Sequence, residues 1–137
     1  MRQYLIAAAF ALPLLAAGAA SAETVRLGGT LGPPAGVASS GKGTVSATYD
    51  TVDKQFTYEA TYSGLTGPAT AAHFHGPAGP GQNAPPVVPI ANPASPISGS
   101  ATLTDAQAAD LLAGRWYLNV HSAANRGGEI RAQVTKQ

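Results

Sequence analysis

Apolar and polar residues alternate with a period of two along much of this chain. The segments GTVSATY (residues 43–49) and KQFTYEATY (residues 54–62) both show the pattern. Successive side chains of a β-strand point to opposite faces of the sheet, so the pattern predicts two half-buried strands. The polar link DTVDK between them suits a hairpin turn. The predicted inward side chains are those of Val45, Ala47, Tyr49, Phe56, Tyr58, Ala60 and Tyr62.

Further short strands are indicated on both sides of this hairpin. They lie at residues 24–30, about 70–75, 87–90, 97–103, 115–121 and 128–134. The Gly- and Pro-rich stretch at residues 76–86 disfavours regular structure. One short helix is predicted at about residues 105–113, with Thr104 as N-cap, Gln107 as its capping-box partner and Gly114 as the stop signal. The pattern therefore predicts an all-β fold, an antiparallel Greek-key β-sandwich or barrel with one short helix.

The first 22 residues are predicted to be a secretory signal peptide. Arg2 supplies an early positive charge, an apolar run follows, and Ala20-Ser21-Ala22 is a small-residue cleavage site. Cleavage there would leave residues 23–137 as one small domain, periplasmic or secreted. No second apolar run follows, so no membrane span is expected after cleavage.

Composition narrows the classes of function. The chain has 8 Lys/Arg and 7 Asp/Glu residues, and Arg2 would leave with the signal peptide. A nearly neutral mature chain without a basic patch argues against nucleic-acid binding. The sequence has no cysteine, so the domain must fold without disulfides although its compartment would permit them. It also lacks a Gly-x-Ser-x-Gly motif and a P-loop.

The three histidines of the chain fall on two of the predicted strands. His73 and His75 share one face of their strand, and Phe74 points to the other. In RWYLNVH, the core face would carry Trp116, Leu118 and Val120, which leaves Tyr117, Asn119 and His121 on the opposite face. All three imidazoles are therefore predicted on the outer face of the sheet, beneath the loops that cover it.

Three neutral imidazoles that converge would form a site for a borderline metal such as copper or zinc. Three protein ligands leave one coordination position open, and copper(II) ranks highest in intrinsic affinity among the common divalent ions. The alternative is structural, with imidazoles that hydrogen-bond loop carbonyls. The sequence leaves both interpretations open.

Three more polar residues are candidates for supporting roles. Glu129 and Arg131 are expected on the outward face of the last strand, where Glu129 would orient an imidazole N–H and Arg131 would hold a loop or an anion. The alternative for this pair is a cross-strand ion pair worth less than about 1 kcal/mol. Asn119, on the face of His121, is expected to tether the long Gly- and Pro-rich loop at residues 76–86.

The segments AHFHGPAGPGQNAPPVVPI, LLAGRWYLNVHS and GGEIRAQV carry a family resemblance. In this order they resemble the chordin-type (CHRD) domain family, and the match extends from about Val25 to Val134. The resemblance implies little chemistry, because these domains occur in varied extracellular and bacterial proteins, mostly without an assigned activity.

A more distant resemblance carries more chemistry. SGLTGPATAAHFHG and GRWYLNVHSAANRGGEIRAQV look like two segments of copper/zinc superoxide dismutases. That resemblance implies copper ligands at His73, His75 and His121 outside a Greek-key barrel. It also implies attraction of an anionic substrate by Arg126, with Arg131 as the competing position. The chain lacks a fourth histidine, the zinc loop and the cysteine pair, so at most a mononuclear copper site remains.

Three functions follow as alternatives. The first is an extracytoplasmic module that binds a metal ion, with copper preferred and zinc as the alternative. The second is a superoxide dismutase-like enzyme that acts on a small anion at that copper. The third is a structural or adhesion domain without a metal.

Overall fold

The structure is a computed structural model that describes residues 8–13, 21 and 23–137. The predicted signal peptide, residues 1–22, lies for the most part outside these residues and stays a prediction. Within the described part, no helix is long and apolar enough to cross a membrane. The described chain forms eight strands and one helix: β1 Thr24–Leu31, β2 Lys42–Asp50, β3 Gln55–Ser63, β4 Ala69–His75, β5 Pro86–Pro89, β6 Ile97–Thr102, α1 Asp105–Leu112, β7 Trp116–Ser122 and β8 Ile130–Lys136.

The strands form one antiparallel sheet in the order β5-β4-β7-β8-β1-β2-β3-β6, which curls into a nearly closed barrel. Three of the neighbouring pairs, β4 with β7, β8 with β1 and β3 with β6, join strands that are far apart along the chain. The prediction of an all-β antiparallel fold with one short helix is confirmed. The pairing of β4 with β7 matters most for function, because these two strands carry all three histidines.

The core lies inside the barrel, where the alternating apolar positions of both halves of the sheet meet. Phe56, Phe74 and Trp116 are fully buried. Their rings pack edge to face, with centroids 5.0 Å apart for Phe56 and Phe74 and 5.5 Å apart for Phe56 and Trp116. Such pairs add to the hydrophobic stabilisation of buried aromatic area. Of the predicted inward positions, Tyr62 is only partly buried against this core.

The helix begins and ends where the sequence indicates. Thr104 is the N-cap, and its side chain and that of Gln107 form a complete capping box. Two otherwise unpaired N–H groups are thereby satisfied at the start of the helix. The last helical residue is Leu112, and Gly114 has a φ of 73°, a conformation that glycine adopts without steric cost.

Strand β7 is buried on both faces, which sets it apart from most of the other strands. Its inward side chains are fully buried, and on the outer face Tyr117 is 2% and Asn119 is 7% exposed. Loops between β4 and β5 and between β7 and β8 cover that outer face, through contacts with Ala84 and Gly127. The histidines therefore lie on the outside of the sheet but under protein, as the alternation predicted.

Candidate metal centre

The pairing of β4 with β7 brings the three histidines together. His73 lies opposite Asn119, and Ala71 lies opposite His121, so His73 and His121 are diagonal neighbours on one face. The ring centroid of His73 is 5.5 Å from that of His75 and 5.3 Å from that of His121. One ring nitrogen from each histidine lies within 4.8 Å of one from each of the others. We call these three residues the histidine cluster, and its predicted convergence is confirmed.

Two of the imidazoles have their tautomers fixed by loop carbonyls. Nδ1 of His75 donates to the carbonyl oxygen of Ala84, and Nδ1 of His121 donates to that of Arg126, both at 2.8 Å. A proton on Nδ1 leaves Nε2 with a free lone pair. Histidine ligands of metals in proteins are usually oriented in this way by a carbonyl or carboxylate on the other nitrogen.

The nitrogens left over are buried and have no hydrogen-bond partner in the described part of the chain. They are Nδ1 of His73, Nε2 of His75 and Nε2 of His121. Buried polar atoms normally find a partner, so three unsatisfied nitrogens in one cluster require an explanation. The hydrogen bonds expected from the structural interpretation are present, but they use the other nitrogens of His75 and His121. They leave the proposed ligand atoms free.

The electrostatics of the cluster favour neutral imidazoles at His73 and His75. Burial lowers the pKa of His73, and the positive charges that His121 and His75 can carry lower it further. Burial also lowers the pKa of His75, against the raising effect of its hydrogen bond to Ala84, and the charges of His121 and Arg131 add to the lowering. A metal ion competes with protons for these nitrogens, so a low pKa keeps the lone pairs available near neutral pH.

Tyr117 stacks directly on the cluster. Its ring is parallel to that of His75 within 4°, with centroids 4.9 Å apart. The guanidinium carbon of Arg131 lies 3.6 Å from the centroid of the Tyr117 ring. The hydroxyl of Tyr117 accepts from the backbone N–H of Ala84 at 3.0 Å, so the same ring supports both His75 and the loop to which His75 is bonded.

Arg131 holds the loop between β4 and β5, as one of its two predicted roles required. Its guanidinium donates to the side-chain oxygen of Asn83 at 3.0 Å and to the carbonyl oxygen of Gln82. The alternative of an ion pair with Glu129 is wrong, because neither ion pair in the described part of the chain includes either residue. Arg131 and Asn119 also line a cavity of about 550 Å³, so attraction of an anion by Arg131 stays a prediction.

The expectation that Glu129 orients an imidazole is also wrong. It lies just before β8 and is fully buried, and it bonds to Ser122, on the face of β7 opposite His121, and to no imidazole, so it does not orient a histidine. Its carboxylate accepts from four residues, which with Glu129 we call the Glu129 cluster: Ser39 (2.6 Å), Thr66 (2.5 Å from the hydroxyl and 2.9 Å from the backbone), Ser122 (2.7 Å) and Asn125 (3.3 Å). Burial alone raises the pKa of Glu129, but the donors outweigh it and lower the pKa to about 2.

The remaining predicted residues are Asn119, which lies in β7, and Arg126, which lies in the loop between β7 and β8. Asn119 donates to the carbonyl oxygen of Gly127 at 3.2 Å, so it tethers a loop, although a different one from the long loop expected. The amide lies close to Gly128, where an added Cβ atom would come within 2.0 Å of the Asn119 side-chain oxygen. The side chain of Arg126 is exposed, and only its carbonyl reaches the histidine cluster. Its predicted attraction of an anion stays a prediction.

Comparison with known proteins identifies the family. A sequence model described as "CHRD domain" matches residues 16–134, most of the chain. The chain belongs to the CHRD domain family. No curated protein matched it, and no solved structure matched it. The resemblance of this CHRD domain to copper/zinc superoxide dismutases therefore stays a prediction.

Two supporting features of this CHRD domain were missed in the sequence. Tyr117 was placed on the face of His121, but its stacking on His75 was not foreseen. The sequence did contain a signal for this contact. Tyr117 and His121 lie on the same face of β7 because they are four residues apart in one strand, so Tyr117 lies beside the histidines of β4 if β4 and β7 are neighbours. The donors to Glu129 left no such signal, since Ser39 and Thr66 lie 90 and 63 residues away along the chain.

Proposed function

We propose that this protein is an extracytoplasmic metal-binding CHRD domain that holds one transition-metal ion at His73, His75 and His121. Copper is the preferred ion and zinc is the alternative. The observation that carries the proposal is the convergence of three buried ring nitrogens that have no other partner. Imidazole nitrogen suits both metals, and copper ranks highest in intrinsic affinity among the divalent ions.

The distances in the cluster are compatible with binding. A metal–nitrogen bond of about 2.0–2.1 Å places two ligands of one ion no more than about 4.2 Å apart. The three nitrogens lie within 4.8 Å of one another. Rotation of the rings by less than about 1 Å at the nitrogen atoms is thus sufficient, and the hydrogen bonds from His75 and His121 need not break.

The surroundings favour binding over turnover of an anion. Arg131 is one of the two residues predicted to attract an anion. Its guanidinium already packs on the ring of Tyr117 and donates a hydrogen bond to the carbonyl oxygen of Gln82. We therefore propose a role in holding, buffering or delivering the metal. A superoxide-decay assay on the copper-loaded protein separates this role from the enzyme, since rapid decay that disappears in His121→Asn would favour the enzyme.

The decisive experiment is a copper and zinc titration of the purified protein with competing chelators. We expect one ion per chain, and copper(II) loading should give an electron paramagnetic resonance spectrum with coupling to nitrogen ligands. His121→Asn and His75→Asn are matched variants, because the Asn amide nitrogen can replace Nδ1 as donor to the loop carbonyl while Nε2 is lost. Each should weaken binding more than roughly 100-fold, since outer partners of ligands alone contribute 10- to 100-fold.

Glu59→Gln provides the control for non-specific binding at exposed carboxylates, because Glu59 is exposed on β3, far from the cluster in the sheet order. This variant should bind like the wild type. Binding that survives in both Asn variants, or that is absent at micromolar metal in the wild type, would contradict the proposal and favour the structural role.

The location is tested separately. The proposed export predicts that the protein recovered from outside the cytoplasm begins at Glu23. N-terminal sequencing of that material checks the cleavage site, and recovery only from the cytoplasm with residues 1–22 intact would contradict it.

A further inference from the structure

A column of three side chains connects the histidine cluster with a permanent positive charge. The ring of Tyr117 lies 4.9 Å from that of His75, and the guanidinium carbon of Arg131 lies 3.6 Å from the Tyr117 ring. These two distances place the guanidinium carbon within about 8.5 Å of the His75 ring centroid. The two contacts come from β4 and β8, the strands on either side of β7, so Tyr117 links them through one ring.

The charge of Arg131 is fixed in place and has no counterion in the described part of the chain. Its guanidinium is held by Asn83 and by the carbonyl of Gln82, both of them neutral groups. The ion pairs among described residues join other side chains. The nearest acid along the chain, Glu129, gives its oxygens to hydroxyl, amide and backbone donors. A guanidinium stays protonated at any accessible pH, so this charge is permanent.

The ligand set adds no negative charge. Three imidazoles are neutral when they bind, and no carboxylate or thiolate belongs to the cluster in the described residues. A bound divalent ion would keep its full charge of two in a half-buried site beside a cation. The cost of removing an ion from water rises steeply with its charge, and repulsion from the guanidinium doubles from a monovalent to a divalent ion.

We propose that the histidine cluster selects monovalent copper over divalent copper and zinc, with Arg131 as the residue that sets this preference through its charge. This inference rests on the proposed function and specifies the cargo of the same site. Tyr117 acts as a positioning residue, because its ring keeps the guanidinium and His75 at a fixed separation.

The test measures two affinities on the same protein. Copper(I) binding is measured under anaerobic conditions against the chelator bicinchoninate, and copper(II) and zinc binding against nitrilotriacetate. We expect the wild type to bind copper(I) more tightly than either divalent ion. Arg131→Gln removes the charge and should lower the ratio of copper(I) to copper(II) affinity by roughly tenfold, as expected for one charge at this distance in a partly buried site.

Two further variants separate charge from structure. Arg131→Lys keeps a positive charge but loses the planar fork, so it should retain most of the ratio. Lys136→Gln removes an exposed positive charge at the far end of β8, outside this column of side chains, so its ratio should stay within about threefold of the wild type. Thermal unfolding of each metal-free variant verifies that it is folded.

The outcomes distinguish this inference from the proposed function. If the wild type binds a divalent ion more tightly than copper(I), or if Arg131→Gln leaves the ratio unchanged, the selection is overturned while the metal site stands. If Arg131→Lys lowers the ratio as much as Arg131→Gln does, charge does not set the preference and the inference also fails. If no metal binds, both proposals are overturned together.

Discussion

The histidine cluster and the Glu129 cluster meet at consecutive residues of β7, His121 and Ser122, yet they differ in how their polar atoms are satisfied. The Glu129 carboxylate accepts five hydrogen bonds from side chains and backbone. The histidine cluster keeps three buried nitrogens without a partner. Both clusters are polar and largely buried, and both are made of strand and loop residues.

This difference separates a structural group from the proposed metal site. A buried carboxylate that receives enough donors is ionised and ties its surroundings together, as the pKa of about 2 for Glu129 shows. A buried lone pair without a donor costs free energy in the folded protein. Such a cost is recovered when an ion binds, because the ion takes the place of the missing donors.

The largest expected effect on folding comes from Glu129→Gln. The neutral amide loses the charge, and its NH₂ group faces donors instead of acceptors. We expect the free energy of unfolding in urea to fall by about 3 kcal/mol, the range for hydrogen bonds to a buried charged group. Glu59→Gln, at an exposed position of β3, should change it by less than about 0.5 kcal/mol. A loss below about 1 kcal/mol for Glu129→Gln would mean that the cluster is not the structural centre described here.

The second effect tests whether the two clusters are independent. A metal at 100 times its dissociation constant should stabilise the wild type by about 2.7 kcal/mol. Glu129→Gln should lower the stability of the metal-free protein but keep this increment. His121→Asn should lose the increment and change the metal-free protein far less. Thermal unfolding with and without copper measures both, and loss of the increment in Glu129→Gln would show that the clusters are coupled.

The third effect is a pair of acid transitions with separate origins. The pKa of Glu129 in the folded protein, about 2, is below its ordinary value of 4.5, so its contribution is complete above about pH 4.5 and is lost as the pH falls toward 2. The pKa values of His73 and His75 are lowered from 6.5, so the unfolded chain takes up protons first and stability already declines below about pH 6.5.

Variants assign the two transitions. Urea unfolding of the metal-free protein at a series of pH values should show both in the wild type. Glu129→Gln should remove the one below pH 4.5, and His75→Asn should reduce the one that begins near pH 6.5. Unchanged acid sensitivity in both variants would mean that other groups control it.

The alternation of side chains along the strands was enough to predict the histidine cluster but not the Glu129 cluster. The alternation in β4 and β7 fixed which face each imidazole occupies, because side chains of a strand alternate strictly. Convergence then required only that β4 and β7 be neighbours, as they are. The start of the helix could also be predicted from local sequence, because the capping-box residues Thr104 and Gln107 lie only three residues apart.

Glu129 could not be assigned in the same way. It precedes β8 instead of lying in it, so the alternation that placed it on the outward face does not apply. Two of its partners, Ser39 and Thr66, come from loops whose paths depend on the closed barrel. Hydrogen bonds of this kind depend on tertiary packing, and no spacing in the sequence encodes them.

The smallest expected effect addresses the point where the two clusters meet. Ser122 donates to Glu129 at 2.7 Å from the residue next to His121. Ser122→Ala removes one donor of several, so the carboxylate stays ionised and satisfied, and we expect a loss of about 1 kcal/mol in urea unfolding. Ser98→Ala, at an exposed position of β6, is the matched control and should lie within about 0.5 kcal/mol of the wild type.

Copper affinity should stay within about threefold in Ser122→Ala, because the side chains of residues 121 and 122 point to opposite faces of β7. A larger loss of affinity would show that the Glu129 cluster positions His121, and the two clusters would then have to be treated as one site.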